Sequence, residues 1–209
     1  MNEYNYKYNE DHVKYMKEQV WEAKEDLKIY DRLSVFEFTK IEPYCGRPKT
    51  VLEVGCGMGR GSVFLNHLLQ DDTVEYTMAD RTGYTNNRGR YNPTQDEYYN
   101  DLILTKSFCE LNGIKNSQTF DTELSNWTAL PKFDLIFSLC SFGMHVSIKR
   151  YIDRLLSVSK PTTTMIFGTR NPTYNQNSFK DKFEKVIYEQ VPTQPPFPRE
   201  NWLILQNPV

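Results

Sequence analysis

From residue 50 to residue 168 the chain alternates short apolar runs with helix-forming stretches, and this order constrains the fold more than any other feature. "TVLEVG" (50–55), "TVEYTMAD" (73–80), "SQTFDT" (117–122), "FDLIFSLCS" (133–141) and "TTTMIFGT" (162–169) read as strands. The β-branched and continuous apolar character of the first and fourth suits strands covered on both faces. Between them, "GSVFLNHLLQ" (61–70), "DEYYNDLILTKSFCELNG" (96–113) and "IKRYIDRLLSVS" (148–159) read as helices. Strand–helix alternation implies parallel strands joined by right-handed crossovers, a doubly wound, Rossmann-like α/β sheet. "FEKVIYEQV" (183–191) and "NWLILQN" (201–207) follow with no helix between them, which adds an antiparallel C-terminal hairpin and brings the expected sheet to seven strands.

Ahead of this core, residues 11–30 carry Val13, Met16, Val20, Ala23, Leu27 and Tyr30 at roughly helical spacing, with Asp11 placed to cap the start. A second short helix is expected over 31–40, and Pro43, Gly46 and Pro48 break the pattern. Residues 1–45 thus form a helical appendage within the same domain as 46–209. Residues 83–94 are too rich in Gly, Asn and Pro for regular structure.

The net charge of −2 argues against a general nucleic-acid binder, which needs a basic face to neutralise phosphates. The N-terminus lacks an apolar signal core, and no run approaches the length of a membrane span. Cys45, Cys56, Cys109 and Cys140 form no C-x-x-C pair, so they read as reduced thiols of a cytoplasmic protein with no metal site.

The junction "VLEVGCGMGRG" (51–61) falls at the end of the first strand, where ligands bind in this fold. Gly55, Gly57 and Gly59 let the backbone turn sharply and approach a ligand closely. Dinucleotide dehydrogenases need glycine at position 60; here it is Arg60, and the spacing is G-x-G-x-G preceded by Glu53. The stretch resembles the first motif of class I S-adenosylmethionine-dependent methyltransferases. Asp80 ends the second strand where that family places an acid on the ribose hydroxyls, and "RLLSVSKPTTTMIFGT" (154–169) resembles its helix, turn and fifth strand. Thr162 and Thr163 stand where the family often has two glycines. The resemblance spans residues 50–209 and implies S-adenosylmethionine as cofactor. It implies that Gly55, Cys56, Gly57 and Gly59 cradle the amino acid and ribose, and that Glu53 holds either the amino group or the glycine loop. By the same resemblance Arg81 lies along the adenine, and the Ser138 and Leu139 carbonyls face the methionine part. Asp121 is either the acid for the adenine amino group or a cap on the next turn.

The acceptor is addressed by other residues. "SLCSFGMH" (138–145) lacks the Pro-Pro-aromatic motif of amino-methylating nucleic-acid enzymes, the Pro-Cys of cytosine enzymes and the acids of magnesium-dependent ones. Cys140 therefore reads as a buried thiol. The run to His145 resembles that of bacterial sugar O-methyltransferases, with Met144 in place of an aromatic. An imidazole titrates near neutrality and can take a hydroxyl proton, so His145 is either the general base or a cap on the next helix. His67 reads as structural and His12 as an exposed helix residue. Arg88 and Arg90, interleaved with Tyr84 and Tyr91, suit an anionic acceptor such as a phosphorylated or nucleotide-linked sugar, or else form a solvated loop. Arg170 and Asn171 point to the same end of the sheet. Tyr4, Tyr6, Tyr8 and Tyr15 belong either to a lid or, for the first three, to a disordered tail. The expected activity is methyl transfer to a small-molecule hydroxyl; N-methylation of a small amine and a non-catalytic cofactor-binding subunit are the alternatives.

Overall fold

The computed structural model describes residues 4–19, 26–82, 91–92, 97–98, 100–141, 146–169, 174–175, 177–190 and 201–209. The order of elements is α1 (Glu10–Gln19), α2 (Ile29–Cys45), β1 (Thr50–Val54), α3 (Arg60–Leu69), β2 (Glu75–Asp80), β3 (Tyr91–Asn92), β4 (Glu97–Tyr98), α4 (Leu102–Leu111), β5 (Ser117–Asp121), a 3-10 turn (Trp127–Ala129), β6 (Phe133–Ser138), α5 (Ile148–Ser157), β7 (Ser159–Thr169), β8 (Phe183–Gln190) and β9 (Asn201–Pro208). Seven strands form one sheet in the order β5-β2-β1-β6-β7-β9-β8, and β3 pairs with β4 apart from it. The pairs β1–β2, β1–β6, β2–β5 and β6–β7 are parallel, while β9 runs antiparallel to β7 and β8. The carboxyl ends of the five parallel strands therefore share one edge with the start of β9.

The central strands bury both faces, as their unbroken apolar sequence requires. Val51, Phe137, Ile166, Trp202 and Ile204 pack with Phe64 of α3 and Phe108 of α4. Leu52, Ile136, Phe167, Leu203 and Leu205 pack with Ile148, Ile152 and Leu155 of α5.

Several local boundaries differ from the sequence-based expectation, each for an identifiable reason. No single helix runs from 11 to 30. The chain turns at Asp26, whose carboxylate accepts from the Lys28 amide at 2.9 Å and whose carbonyl accepts from the Ile29 amide, so a new helix starts there. That helix, α2, is not confined to 31–40 and does not stop at Pro43. Proline gives up the one bond its amide would have made to the Thr39 carbonyl, and α2 continues to Cys45, where Gly46 at φ 62° ends it. Helix α4 begins at Leu102, not at 96, because Asp101 caps it, accepting from the Ile103 and Leu104 amides at 3.0 and 3.4 Å. Strand β7 begins at Ser159, ahead of Pro161, and its register against β6 shifts between Phe133 and Leu135. The Thr163 hydroxyl closes this turn, accepting from the Lys160 amide at 2.7 Å and donating to the Phe133 carbonyl at 2.6 Å. A side chain here does what the missing glycines would do through backbone freedom.

The N-terminal segment is packed, not a tail. Tyr6, Tyr15 and Met16 are buried in the same cluster as Val51 and Phe64, with Tyr4 and Tyr8 packed against it. The Lys7 backbone and the Asn112 side chain exchange two hydrogen bonds, at 2.8 and 3.0 Å. His12 is buried, not exposed: Nδ1 accepts from the Asn9 amide, and Nε2 lies 3.1 Å from the Ser107 hydroxyl. His67 is exposed, with Tyr4 4.7 Å from its ring. All four cysteines are free, and Cys140 is half-buried rather than buried. No described helix is long and apolar enough to cross a membrane.

Candidate active site

The turn between β1 and α3 is tied to the neighbouring strand by its own backbone. The Gly55 and Cys56 amides both donate to the Ala79 carbonyl, at 2.8 and 3.2 Å. Gly55 (φ 65°) and Gly57 (φ 53°) occupy the left-handed region, which side chains rarely adopt. The two serve different needs. A Cβ on Gly55 would overlap the Ser141 side chain, so this glycine lets the segment after β6 lie across the turn. A Cβ on Gly57 would meet nothing within 4 Å. No packing explains Gly57, and it stands open at the edge of the sheet where ligands bind.

Asp80 holds this turn from the end of β2. Its Oδ2 accepts from the Gly57 amide and its Oδ1 from the Arg81 amide, both at 2.8 Å. Burial pushes its carboxyl up to about 6, against the lowering effect of those two amides, and nearby Asp121 adds to the rise. Each oxygen keeps further acceptor capacity beyond its one backbone donor. Glu53 sits beneath the next helix. Its Oε2 accepts from the Ser62 amide at 2.8 Å and the Ser62 hydroxyl at 2.7 Å, satisfying one of the free donors in the first turn of α3. Burial raises its carboxyl to about 7. Cys56 is buried among these carboxylates, and burial lifts its thiol well above the ordinary range.

Asn100, which sequence reasoning missed, connects the turn to three other elements. Its Nδ2 donates to the Gly57 carbonyl at 2.6 Å and to Thr105 Oγ1 at 3.1 Å, and its Oδ1 accepts from Tyr15 Oη at 2.8 Å. Its backbone amide donates to the Arg81 carbonyl. Thr105 Oγ1 also donates to the Gly57 carbonyl, at 2.7 Å. Both Gly57 backbone groups are thus held by side chains of the protein. The only sequence signal for Asn100 was a polar residue ahead of the apolar face of a helix.

Arg60 belongs to a buried ion pair with Glu37 of α2, which accepts from both guanidinium nitrogens, with Ser34 Oγ as a further acceptor at 3.0 Å. Tyr6 Oη donates to the Arg60 carbonyl at 3.0 Å, and the Arg60 guanidinium lies 5.5 Å from the centre of the Tyr30 ring. Cys140 Sγ is 3.7 Å from Glu37 Oε1. The cover helix, the start of α3 and the segment after β6 meet at this one carboxylate.

The remaining sequence-predicted residues divide sharply. Asp121 Oδ1 caps the turn after β5, accepting from the Glu123 and Leu124 amides at 2.9 and 3.0 Å, while Oδ2 accepts from the Thr82 amide at 3.2 Å. Arg81 lies 3.7 Å from Glu123 in an ion pair. Ser138 is buried at the end of β6. The Leu139 carbonyl presses against Gly168, where any Cβ would overlap it, so this oxygen is packed on the β7 backbone. His145, Tyr84, Arg88, Arg90, Arg170 and Asn171 lie outside the described residues, as does the side chain of Tyr91, whose backbone forms β3. Among the described residues no group of three or more His, Cys, Asp or Glu side chains is placed to hold a metal ion.

A family model described as a methyltransferase domain matches residues 27–201. No curated protein matches the sequence. Among solved structures, the O-methyltransferase TomG from Streptomyces achromogenes, involved in tomaymycin synthesis and solved with S-adenosylmethionine, is 12% identical with a TM-score of 0.58, covering 97% of this chain and 92% of its own. An O-methyltransferase from Bacillus cereus, solved with S-adenosylhomocysteine, is 13% identical with a TM-score of 0.57, covering 93% and 90%. A methyltransferase from Aquifex aeolicus is 16% identical with a TM-score of 0.57, covering 96% and 100%.

Proposed function

Because the chain belongs to the methyltransferase-domain family and uses S-adenosylmethionine, we propose that it methylates a hydroxyl of a small molecule, a sugar or anionic sugar derivative, with His145 as general base. The observation that carries the cofactor side is the pairing of Gly57 and Asp80. An open glycine and a carboxylate with spare acceptor capacity stand hydrogen-bonded at the carboxyl ends of adjacent strands. Those residues fit the cofactor. Two adjacent ribose hydroxyls need an acceptor for each, which a carboxylate provides, and Gly57 leaves room for close approach. In this reading Asp80 binds the ribose, and Gly55, Cys56, Gly57 and Gly59 line the amino-acid end. Glu53 acts on the glycine turn through Ser62 rather than on the ligand. Arg81 borders the adenine, and Asp121 shapes that border through Thr82.

Bound there, S-adenosylmethionine supplies a methyl group already attached to an excellent leaving group. The chain's own tasks are then to align the acceptor, exclude water and remove a proton. A hydroxyl needs that proton removed, whereas a neutral amine does not. Support for the hydroxyl comes from the position of His145 after β6 and from fold neighbours described as O-methyltransferases. Arg88 and Arg90, with Tyr84 and Tyr91, supply the cationic and aromatic groups suited to a phosphorylated or nucleotide-linked sugar. Arg170 and Asn171 follow β7 and join them.

The test is an acceptor screen across sugars, sugar phosphates, nucleotide sugars and small amines, following S-adenosylhomocysteine release. Turnover of a hydroxyl acceptor is expected, with kcat falling by about 10²–10⁴-fold in His145→Ala while S-adenosylhomocysteine still binds. Full activity of that variant on a hydroxyl removes the base. Turnover of amines alone makes the protein an N-methyltransferase, and none at all with intact cofactor binding makes it a binding subunit.

A further inference from the structure

Among the described residues, five buried side-chain atoms have no hydrogen-bond partner: Tyr8 Oη, Tyr76 Oη, Thr82 Oγ1, Asn201 Oδ1 and Trp202 Nε1. Such atoms are uncommon, because leaving a buried donor or acceptor unmet is costly. Tyr8 belongs to the N-terminal cover and Tyr76 to the amino end of β2, away from the ligand edge. Asn201 begins β9 at the carboxyl edge of the sheet, where ligands bind in this fold.

The register gives Asn201 its neighbours. Thr169, the last residue of β7, pairs with Asn201, and Phe167 pairs with Ser138 at the end of β6. Residues two apart share a face, so Ser138, Thr169 and Asn201 line one face across three adjacent strands. All three are buried. Below Thr169 and Asn201 that face is apolar, with Ile136, Phe167 and Leu203 in its core. The rung Thr169–Asn201 is polar, and Ser138 stands on the same face one level below it, beside Phe167 and Leu203. A leucine would fill the Asn201 site without an unmet oxygen, so packing gives no reason for an amide there. Thr169 Oγ1 reaches the Asn201 carbonyl at 3.4 Å and leaves Oδ1 unmet. Thr169 and Asn201 carry no charge, so their rung suits neutral donors.

We infer that Asn201 reads the methyl acceptor: its Oδ1 accepts a hydrogen bond from a hydroxyl or N–H of the acceptor other than the group methylated. The acceptor is then a small molecule with several donors, and the rung Thr169–Asn201 is the neutral floor beneath it. The inference rests on the reading of this edge as the acceptor's place.

The experiment compares Asn201→Leu, close to the native shape, with the intact protein in three readouts. Expected are a thermal midpoint at or above wild type, unchanged S-adenosylhomocysteine affinity by calorimetry, and an acceptor KM raised about tenfold or more with kcat changed far less. Against monodeoxy versions of a sugar acceptor, wild type rejects one and Asn201→Leu no longer distinguishes it. A midpoint several degrees lower, with KM unchanged in Asn201→Ala as well, makes Asn201 structural and overturns the inference. If wild type turns over only amines, the hydroxyl reading fails, and the same midpoint and KM comparison with the amine still decides the role of Asn201.

Discussion

The two halves of the carboxyl edge differ in how most of their polar groups are satisfied, although Thr82 Oγ1, just after β2, is also buried without a partner. At the β1–β2 half, the Gly57 amide and carbonyl, the Asp80 and Glu53 carboxylates and the Asn100 amide are all engaged within the protein. At the β7–β9 half, Asn201 and Trp202 carry buried polar atoms with no partner. A donor site used in every turnover benefits from being built before the ligand arrives, because ordering it then costs nothing. Under the proposed reading, the acceptor side keeps its recognition groups unpaired until the acceptor binds.

The largest way to break this contrast is at Glu37. Replacing it by Leu leaves Arg60 buried and unpaired, and the expected loss of stability is about 3–5 kcal/mol, read by urea unfolding. Changing both residues, Glu37→Leu with Arg60→Met, should recover most of it. No recovery would mean that the pair is not the interaction lost.

The glycines separate packing from ligand contact. Gly55→Ala must displace Ser141 as well as accept a left-handed backbone, and should lower stability by about 2–4 kcal/mol. Gly57→Ala meets no atom and carries only the backbone strain, about 1 kcal/mol, yet should weaken S-adenosylhomocysteine binding markedly. Equal stability losses would erase the distinction between them. Asn100→Ala should cost about 1–2 kcal/mol and also weaken cofactor binding, since the Gly57 carbonyl then keeps Thr105 alone.

Proton linkage gives a smaller and sharper test. Glu53 has its folded carboxyl raised from 4.5 to about 7 by burial. The folded state therefore holds the proton across that window, and stability falls as pH rises from about 4.5 to 7. Glu53→Gln can still accept from Ser62, so its stability should change less with pH across the window and exceed wild type at pH 8. A steeper decline in the variant would contradict the protonation assigned to Glu53.

How far the sequence could be read follows the same division. The strand–helix alternation, the glycine turn and the place of Asp80 at the end of β2 were legible because each depends on local pattern or on short spacing along adjacent strands. Asn100 was not, since its partners Gly57, Tyr15 and Thr105 come from three separate elements. The role of Arg60 was only half legible: its position excluded the dinucleotide pattern, but its pairing with Glu37 depends on how α2 folds back. His12 was misread because a polar residue near a polar terminus carries no signal of burial. Pro43 was misread because a helix tolerates one lost hydrogen bond in its last turn. Asn201 looked like the polar start of a strand, and only the register across β6, β7 and β9 sets it opposite Thr169 and on the same face as Ser138.

In the proposed function the Gly57–Asp80 pair at the edge of the sheet binds the methyl donor. The most direct test is calorimetry of S-adenosylhomocysteine into the intact protein across pH. Saturable binding is expected at neutral pH, weakening as pH falls below about 6, where Asp80 takes up a proton, and largely lost in Asp80→Ala. Absence of binding, or binding untouched by Asp80→Ala, would contradict it.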